Sequence, residues 1–295
     1  MTARQPELAQ TSGVLTPRPK ADDASLMADA MGSACRIWGL MYRHLSLYRR
    51  SWPRLVELAY WPILQMTIWG FTSRFFAMRL GNHFAITVGV LLGGVLLWET
   101  ALRSHLGFAA TFLEEVWSRN LGHIFISPMR PWEMLASLIA MSVIRMLCGI
   151  VPAAVLAAAL YHFNVLSVGP VLVLFMLNLM VMGWWVALAC ISLILSQGGG
   201  AESLVWSSLA GMAPLAAVYY PVAIMPHWLQ PLVLALPAAH VFEGLRAAVS
   251  HGVIRWDHLA WAAGLNIAWL AMASVLFRNQ FQAARRNGAL MNIGE

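Results

Sequence analysis

The sequence predicts an all-α membrane protein with six transmembrane helices, and three observations support that class. Of the 295 residues, 60% are hydrophobic and only 11% are charged, whereas soluble domains carry about 25% charged residues. Six apolar runs each reach the roughly 20 residues that a helix needs to cross a bilayer. Most of the 19 Lys and Arg residues cluster near the two termini and in one polar interval, which is a pattern that sets membrane topology and does not require nucleic acid.

The N-terminal region has two parts. Residues 1–30 are rich in Pro, Ala, Thr and Asp and lack periodicity, so they are predicted to form a disordered cytoplasmic tail. From Ser33 to Arg50, apolar residues recur on one helical face, while Arg36, Arg43 and Arg50 follow at intervals of seven on another. A basic amphipathic helix before a membrane span is expected to lie in the interface, with its cations on acidic headgroups.

The predicted spans follow in order at residues 55–76, 84–102, 134–160, 168–195, 203–224 and 258–277. Because basic residues crowd the N-terminal region, the interval after the second span and the C-terminal tail, the positive-inside rule places both termini in the cytoplasm. The chain is expected to be a multi-pass protein of a bacterial inner membrane. It divides into the tail at 1–30, a transmembrane domain at 31–280 and a second cytoplasmic tail at 281–295.

The polar interval from Arg103 to Glu133 separates the second and third spans. Within it, Thr111 to Glu114 fits a capping box, in which a hydroxyl N-cap and a carboxylate three residues later bind the first backbone N–H groups. Apolar residues follow at helical spacing until Ser127-Pro128 stops the helix. The pattern predicts a short amphipathic helix that lies on headgroups, docks into a cytoplasmic partner or simply connects the spans.

The segment from Tyr219 to His240 is apolar but contains four interrupting prolines. It is too short to cross the membrane twice, and irregular backbone at membrane depth survives only where protein or water covers it. We expect a re-entrant pair of short helices entering from the outside. The following Phe242 to Arg246 would return along the outer interface. The prolines are Pro221, Pro226, Pro231 and Pro237.

Motifs for chemistry are missing from the sequence. A phosphate loop needs a lysine after its glycines, and the only lysine, Lys20, lies in the tail, so we expect no ATP site in this chain. The His and Cys spacings predict no metal ligands, no catalytic set and no cofactor. Arg145 lies inside the third predicted span, where an arginine costs at least about 2.5 kcal/mol, so it should face a cavity, a partner or the bundle interior.

This order of parts resembles the type-2 ATP-binding-cassette exporter permeases, over about Ser33 to Phe277. Two local motifs carry the resemblance. The first is the short helix followed by Ile126-Ser-Pro-Met-Arg-Pro-Trp-Glu133. The second is Tyr220-Pro-Val-Ala-Ile-Met-Pro-His-Trp-Leu-Gln230 with Leu236-Pro237 and Glu243-Gly-Leu-Arg246.

The resemblance implies a homodimer or heterodimer of such permeases, surrounded by lipid, with two separate ATPase subunits that bind the ATP. The stretch from Phe112 to Ile124 would be a coupling helix seated in a cleft of the ATPase. This chain would then change conformation and form the transport path, and it would not itself be an enzyme. The coupling residues are then Phe112, Leu113, Glu114, Glu115, Val116, Trp117, Arg119 and Leu121. The re-entrant gate comprises Pro221, Pro226, Trp228, Pro237, Glu243 and Arg246.

The cargo implied is a lipid, a drug-like amphiphile or a glycan. The sequence departs from the family in its 30-residue tail and in a short turn predicted at Arg74 to Arg79. Two other classes stay open. A stand-alone membrane enzyme acting on lipid would work without an ATPase, and a secondary transporter would show an inverted repeat and mid-membrane charges, of which only Arg145 qualifies.

Overall fold

The computed structural model describes residues 23–80, 84–161 and 169–286, and within these ranges the chain forms helices and no strand. The predicted all-α class is confirmed. Short 3-10 turns at Gly198–Ala201 and Val222–Ile224 interrupt the second half. The helices are α1 (Asp23–Arg50), α2 (Trp52–Leu80), α3 (Phe84–Trp117), α4 (Leu121–Ile126), α5 (Pro131–Tyr161), α6 (Val171–Gln197), α7 (Ser203–Met212), α8 (Gln230–Leu234), α9 (Pro237–His251) and α10 (Trp256–Arg286).

Three helical segments of the described chain are long and apolar enough to cross a membrane, which makes this a membrane protein. They are Pro131–Tyr161, Val171–Ala201 and Trp256–Arg286, and they match the third, fourth and sixth predicted spans. The first and second predicted spans fall within α2 and α3, single helices of 29 and 34 residues.

The prediction of six full-length spans is wrong at the fifth. Helix α7 ends at Met212 after ten residues, which cover about 15 Å, half of a bilayer's hydrocarbon core. Ala213 still has helical angles, but Pro214 has no N–H to continue the helical hydrogen bonds, and Ala217 adopts a left-handed φ of 56°. The apolar composition of this segment therefore does not correspond to one continuous helix.

Several predicted boundaries also move. Helix α1 begins at Asp23, so residues 23–30 of the predicted tail are helical; residues 1–22 lie outside the described chain. Helix α2 continues to Leu80 and therefore includes Arg74 to Arg79, which we predicted to be a turn. Helix α10 extends to Arg286, and the rest of the predicted C-terminal tail is not described.

Helix α3 lies at the centre of the bundle and packs against α2, α5, α6, α7 and α9. Glycines allow its closest crossings. A Cβ on Gly107 would lie 2.8 Å from the Cα of Ser142 in α5, and one on Gly183 of α6 would lie 2.7 Å from the carbonyl oxygen of Ala101. Because backbones touch at these points, a displacement of α3 is transmitted to α5 and α6 without intervening flexible side chains.

Candidate functional site

The end of α3 differs from the prediction. Thr111 is not an N-cap: it is buried inside a continuous helix, and its hydroxyl donates to the carbonyl of Gly107 at 2.6 Å. The helix instead ends at Trp117 and reverses at Arg119, whose φ is 53°. The N–H of Asn120 then bonds the carbonyl of Glu115 at 3.0 Å, as in a Schellman cap with an arginine in the left-handed position. The local capping pattern at Thr111 gave no indication that α3 continues without a break to Trp117.

The apolar face of the predicted coupling stretch packs inside this chain. These side chains join the main hydrophobic core and are not available to a partner. A docking role therefore depends on the exposed turn between α3 and α4, where Trp117 is 53% exposed and Arg119 is also exposed. The buried apolar members of the predicted set are Phe112, Leu113, Val116 and Leu121.

Two glutamates at the same helix end contact α1. Both ring nitrogens of His44 face a carboxylate: Nδ1 lies 3.3 Å from Glu114 Oε2 and Nε2 lies 3.1 Å from Glu115 Oε1. The contact with Glu114 has hydrogen-bond geometry, whereas His44 Nε2 and Glu115 Oε1 have no hydrogen-bond partner within the described chain, so the second contact is an ion pair that forms when the ring is protonated. Arg43 adds an ion pair at 3.0 Å to Glu115, and Asn120 donates to the same carboxylate at 2.7 Å. We call His44, Glu114, Glu115 and their bonded partners the charged junction.

Arg145 of α5 completes the charged junction. Its Nη1 lies 3.2 Å from the Thr111 hydroxyl and 3.8 Å from Glu114 Oε1, and its guanidinium lies over the Tyr48 ring at 5.1 Å from the centroid. The Tyr48 hydroxyl donates to Glu114 at 3.3 Å. Arg145, which was expected to face a cavity, a partner or the bundle interior, thus contacts a carboxylate, a hydroxyl and an aromatic face.

The charges at the junction stabilise one another. Burial opposes a charge on His44, but its bonds to Glu114 and Glu115 outweigh burial and raise its pKa. Burial likewise opposes ionised glutamates, yet bonds to His44, reinforced by Arg145 at Glu114 and by Asn120 and Arg43 at Glu115, lower both carboxyl pKa values. The junction therefore brings groups of opposite charge together between α1, α3 and α5, and each favours the charged form of its partner.

A second ion pair joins α1 to α5. Arg36 donates from Nε and Nη2 to the two oxygens of Glu133, at 2.9 and 2.7 Å, and Glu133 is fully buried. Two of the three arginines that recur at intervals of seven, Arg36 and Arg43, thus bind carboxylates of this chain, which the sequence did not predict. The outward face of α1 instead presents Trp38 and Tyr42.

The exposed turn also contacts the connection between α6 and α7. The indole N–H of Trp117 donates to Glu202 Oε2 at 3.2 Å. Arg43 reaches the Ser118 hydroxyl at 3.4 Å. The turn between α3 and α4 is thus bonded to the base of α7 as well as to α1, although its own surface is open.

The predicted re-entrant segment folds into short pieces, as its prolines suggested. Glu243 accepts a hydrogen bond from the Val222 N–H at 2.8 Å and pairs with Arg246 at 3.1 Å. Arg246 donates to the carbonyl oxygens of Ala217 and, at 2.7 Å, Tyr220. Of the predicted gate residues, Pro237 begins α9, Pro221 precedes the 3-10 turn at 222–224, and Pro226 and Trp228 lie exposed in the loop before α8.

The α1 partners of the glutamates were not predicted from the sequence. Arg43 entered the prediction only through its spacing, and His44 and Tyr48 were assigned no polar role. A signal was present, because His44 and Tyr48 are four residues apart and therefore share a face of α1. That spacing, however, does not reveal which helix lies opposite.

The comparisons with known proteins do not identify the chain. No family model matches it, and no curated protein matches it.

Proposed function

We propose that this chain is the transmembrane permease subunit of an ATP-binding-cassette exporter in a bacterial inner membrane. In this proposal both termini lie in the cytoplasm, and a second permease subunit and two ATPase subunits complete the transporter. Helices α2, α3, α5, α6 and α10 cross the bilayer, and α7 with the irregular segment after it makes a broken fifth crossing that ends in the re-entrant gate.

The supporting observation is the bonding of the exposed turn between α3 and α4. A force applied at Trp117 or Arg119 acts on the end of the central helix, beside carboxylates bonded to α1 and α5. Ion pairs between buried or half-buried groups resist separation because an unpaired charge left behind is costly. Docking of an ATPase at this turn would therefore move several helices together, which is what coupling of ATP hydrolysis to transport requires.

The test is capture of the ATPase from the native membrane. The tagged chain, purified in mild detergent, is expected to bring down an ATPase subunit. The double variant Trp117→Ala/Arg119→Ala should lose most of that capture while keeping its thermal stability, because both side chains are exposed. The matched control is Trp256→Ala/Arg255→Ala, an exposed pair at the start of α10.

Three outcomes would contradict the proposal. One is full ATPase capture by the turn variant, and another is transport or lipid chemistry by the purified chain with no ATPase, which would favour a secondary transporter or an enzyme. The third is external labelling of Arg119→Cys, in a chain with its three native cysteines replaced by serine, by a reagent that does not cross membranes.

A further inference from the structure

A cavity lined by charged, aromatic and aliphatic side chains lies beside the charged junction. Its volume is about 280 Å³, and α2, α3, α5 and α7 contribute to its walls with the end of α1. At about 30 Å³ per water in the liquid, such a space holds roughly nine waters. Its lining residues are Tyr48, Arg54, Glu57, Leu58, Arg103, Leu106, Gly107, Ala110, Glu114, Trp117, Arg145 and Trp206.

Most of the charges that line this cavity are already paired. Arg103 contacts Glu99 at 3.2 Å, and Arg145 and Glu114 belong to the charged junction. Arg54 and Glu57 are different, because neither has an ion-pair partner among the described residues. They lie one turn apart on α2 and both are exposed. Among the described residues, the cavity therefore presents a cation and an anion that have no ion-pair partner, both supplied by α2.

The cavity also presents aromatic faces. Trp117 and Trp206 belong to its lining and are each about half exposed, and the Tyr48 ring is already covered by Arg145. Indole faces are the strongest side-chain partners for an ammonium group in cation–π contacts. A cationic ligand group close to Glu57 would therefore find both a carboxylate and aromatic surfaces.

We propose that this cavity binds a zwitterionic headgroup that combines a phosphate with an ammonium group. The phosphate contacts Arg54, and the ammonium contacts Glu57 with the indoles beside it. A phosphoethanolamine group has about eight heavy atoms, a size that suits roughly nine water volumes and leaves acyl chains outside. Two helices that contribute to the walls also carry exposed apolar side chains, Leu55 and Val56 on α2 and Leu204 on α7, which offer apolar surface for such chains. The inference rests on the proposed function in that it names the class of cargo.

The test is direct binding to the purified chain in micelles of a sugar detergent. The probes are dihexanoyl phosphatidylethanolamine, dihexanoyl phosphatidylglycerol and soluble glycerophosphoethanolamine, titrated by calorimetry. We expect the zwitterionic lipid to bind about tenfold more tightly than the anionic lipid, the difference expected from one additional charged contact. If soluble glycerophosphoethanolamine displaces the lipid at equal concentration, the ligand of this cavity is a soluble compound that carries the same headgroup and not a lipid.

Two variants separate the contacts. Glu57→Gln should abolish the preference for the zwitterionic lipid, and Arg54→Gln should weaken the binding of both lipids by about tenfold. The control is Arg50→Gln, which removes an exposed arginine at the end of α1 that does not line the cavity. Thermal melting of the variants should match the parent chain, because neither side chain has an ion-pair partner within the described residues.

Equal affinity for the two lipids, or unchanged preference in Glu57→Gln, would overturn the inference. The binding assay contains no ATPase, so its failure is distinct from that of the proposed function. Lost selectivity with intact ATPase capture rejects only the cargo class. Retained selectivity with no ATPase captured rejects only the permease assignment.

Discussion

Two regions of this molecule use charged side chains in different ways. At the charged junction, the Glu114 carboxylate accepts hydrogen bonds from His44 and Tyr48 of α1, and the Glu115 carboxylate pairs with Arg43, also of α1. In the segment between α7 and α9, Arg246 instead donates to backbone carbonyl oxygens, and Glu243 accepts a backbone N–H. The first region links regular helices, whereas the second satisfies backbone groups that an irregular chain leaves unpaired.

This difference bears on what each region can do. Side-chain bonds between intact helices hold rigid elements together, so a displacement of one is passed to the next. Bonds from a side chain to backbone groups hold a local shape, because buried backbone polar groups need partners. We therefore expect damage at the charged junction to loosen the packing of α1, α3 and α5, and damage at Arg246 to stay local.

The strongest test of the comparison is Glu115→Ala. Glu115 is only 1% exposed, and its loss leaves Arg43 and one side of His44 without their carboxylate, at a cost of about 3 kcal/mol in unfolding free energy. Unfolding in mixed micelles, followed by circular dichroism, measures the loss. The control is Glu57→Ala, whose exposed carboxylate should cost less than about 0.5 kcal/mol. Equal losses in the two variants would show that the charged junction adds no stability.

The counterpart in the second region is Arg246→Gln. It leaves the carbonyls of Ala217 and Tyr220 short of a donor and Glu243 without its ion-pair partner, and we expect a cost of about 2 kcal/mol. Hydrogen exchange should increase within residues 213–236 and not in α1 or α5. Faster exchange in α1 would contradict the local role of Arg246. Arg255→Gln, an exposed arginine of the following loop, is the control and should leave the exchange pattern unchanged.

A change of pH should alter the unfolding free energy less than these substitutions do, because titration adds or removes a proton and leaves every side chain in place. The raised pKa of His44 adds stability that is complete below the ordinary histidine pKa of about 6.5 and is lost as the pH rises through the folded-state value. The lowered pKa values of Glu114 and Glu115 add stability that is complete above about 4.3 and is lost as the pH falls below it. Unfolding free energy should therefore be greatest between about pH 4.3 and 6.5.

His44→Gln serves as the control for this pH dependence. It should flatten the loss of stability above about pH 6.5, since glutamine does not titrate. A variant that keeps the same decline at alkaline pH would assign the decline to other groups. The same titration of Arg246→Gln should keep the parent's pH dependence, because the described surroundings of Arg246 include no histidine bond.

The smallest effect is expected where an ion pair is exposed. Arg130 contacts Asp29 of α1 at 3.3 Å, and both side chains are more than half exposed, so Arg130→Gln should change stability by less than about 0.5 kcal/mol. Arg36→Gln, which leaves the buried Glu133 without its two-point contact, should cost several times more. Similar losses would show that burial of the carboxylate is not what gives the α1–α5 pair its strength. The same mixed-micelle unfolding experiment compares them.

Much of the helical framework was predictable, and the errors have a common origin. Long apolar runs correctly located α2, α3, α5, α6 and α10. A run of about twenty apolar residues predicts a membrane-length helix whichever helices pack against it. The fifth span failed because residues 213–220 are apolar but non-helical and are held by Arg246, which is 26 residues after Tyr220. The capping box at Thr111 failed because α3 is stabilised there by packing against α5, which overrides a local signal.

The sequence by itself determined the class of the protein, an all-α membrane protein, and the positions of its long helices, since hydropathy and helical periodicity are properties of the chain alone. Only the tertiary structure decided that the face of Leu113 is buried inside this chain, that Arg36 and Arg43 bind carboxylates of this chain, and that Arg54 and Glu57 lack ion-pair partners among the described residues. Periodicity shows which residues share a helical face, but the energy of a charge depends on what lies opposite it, and that is known only when the helices are packed.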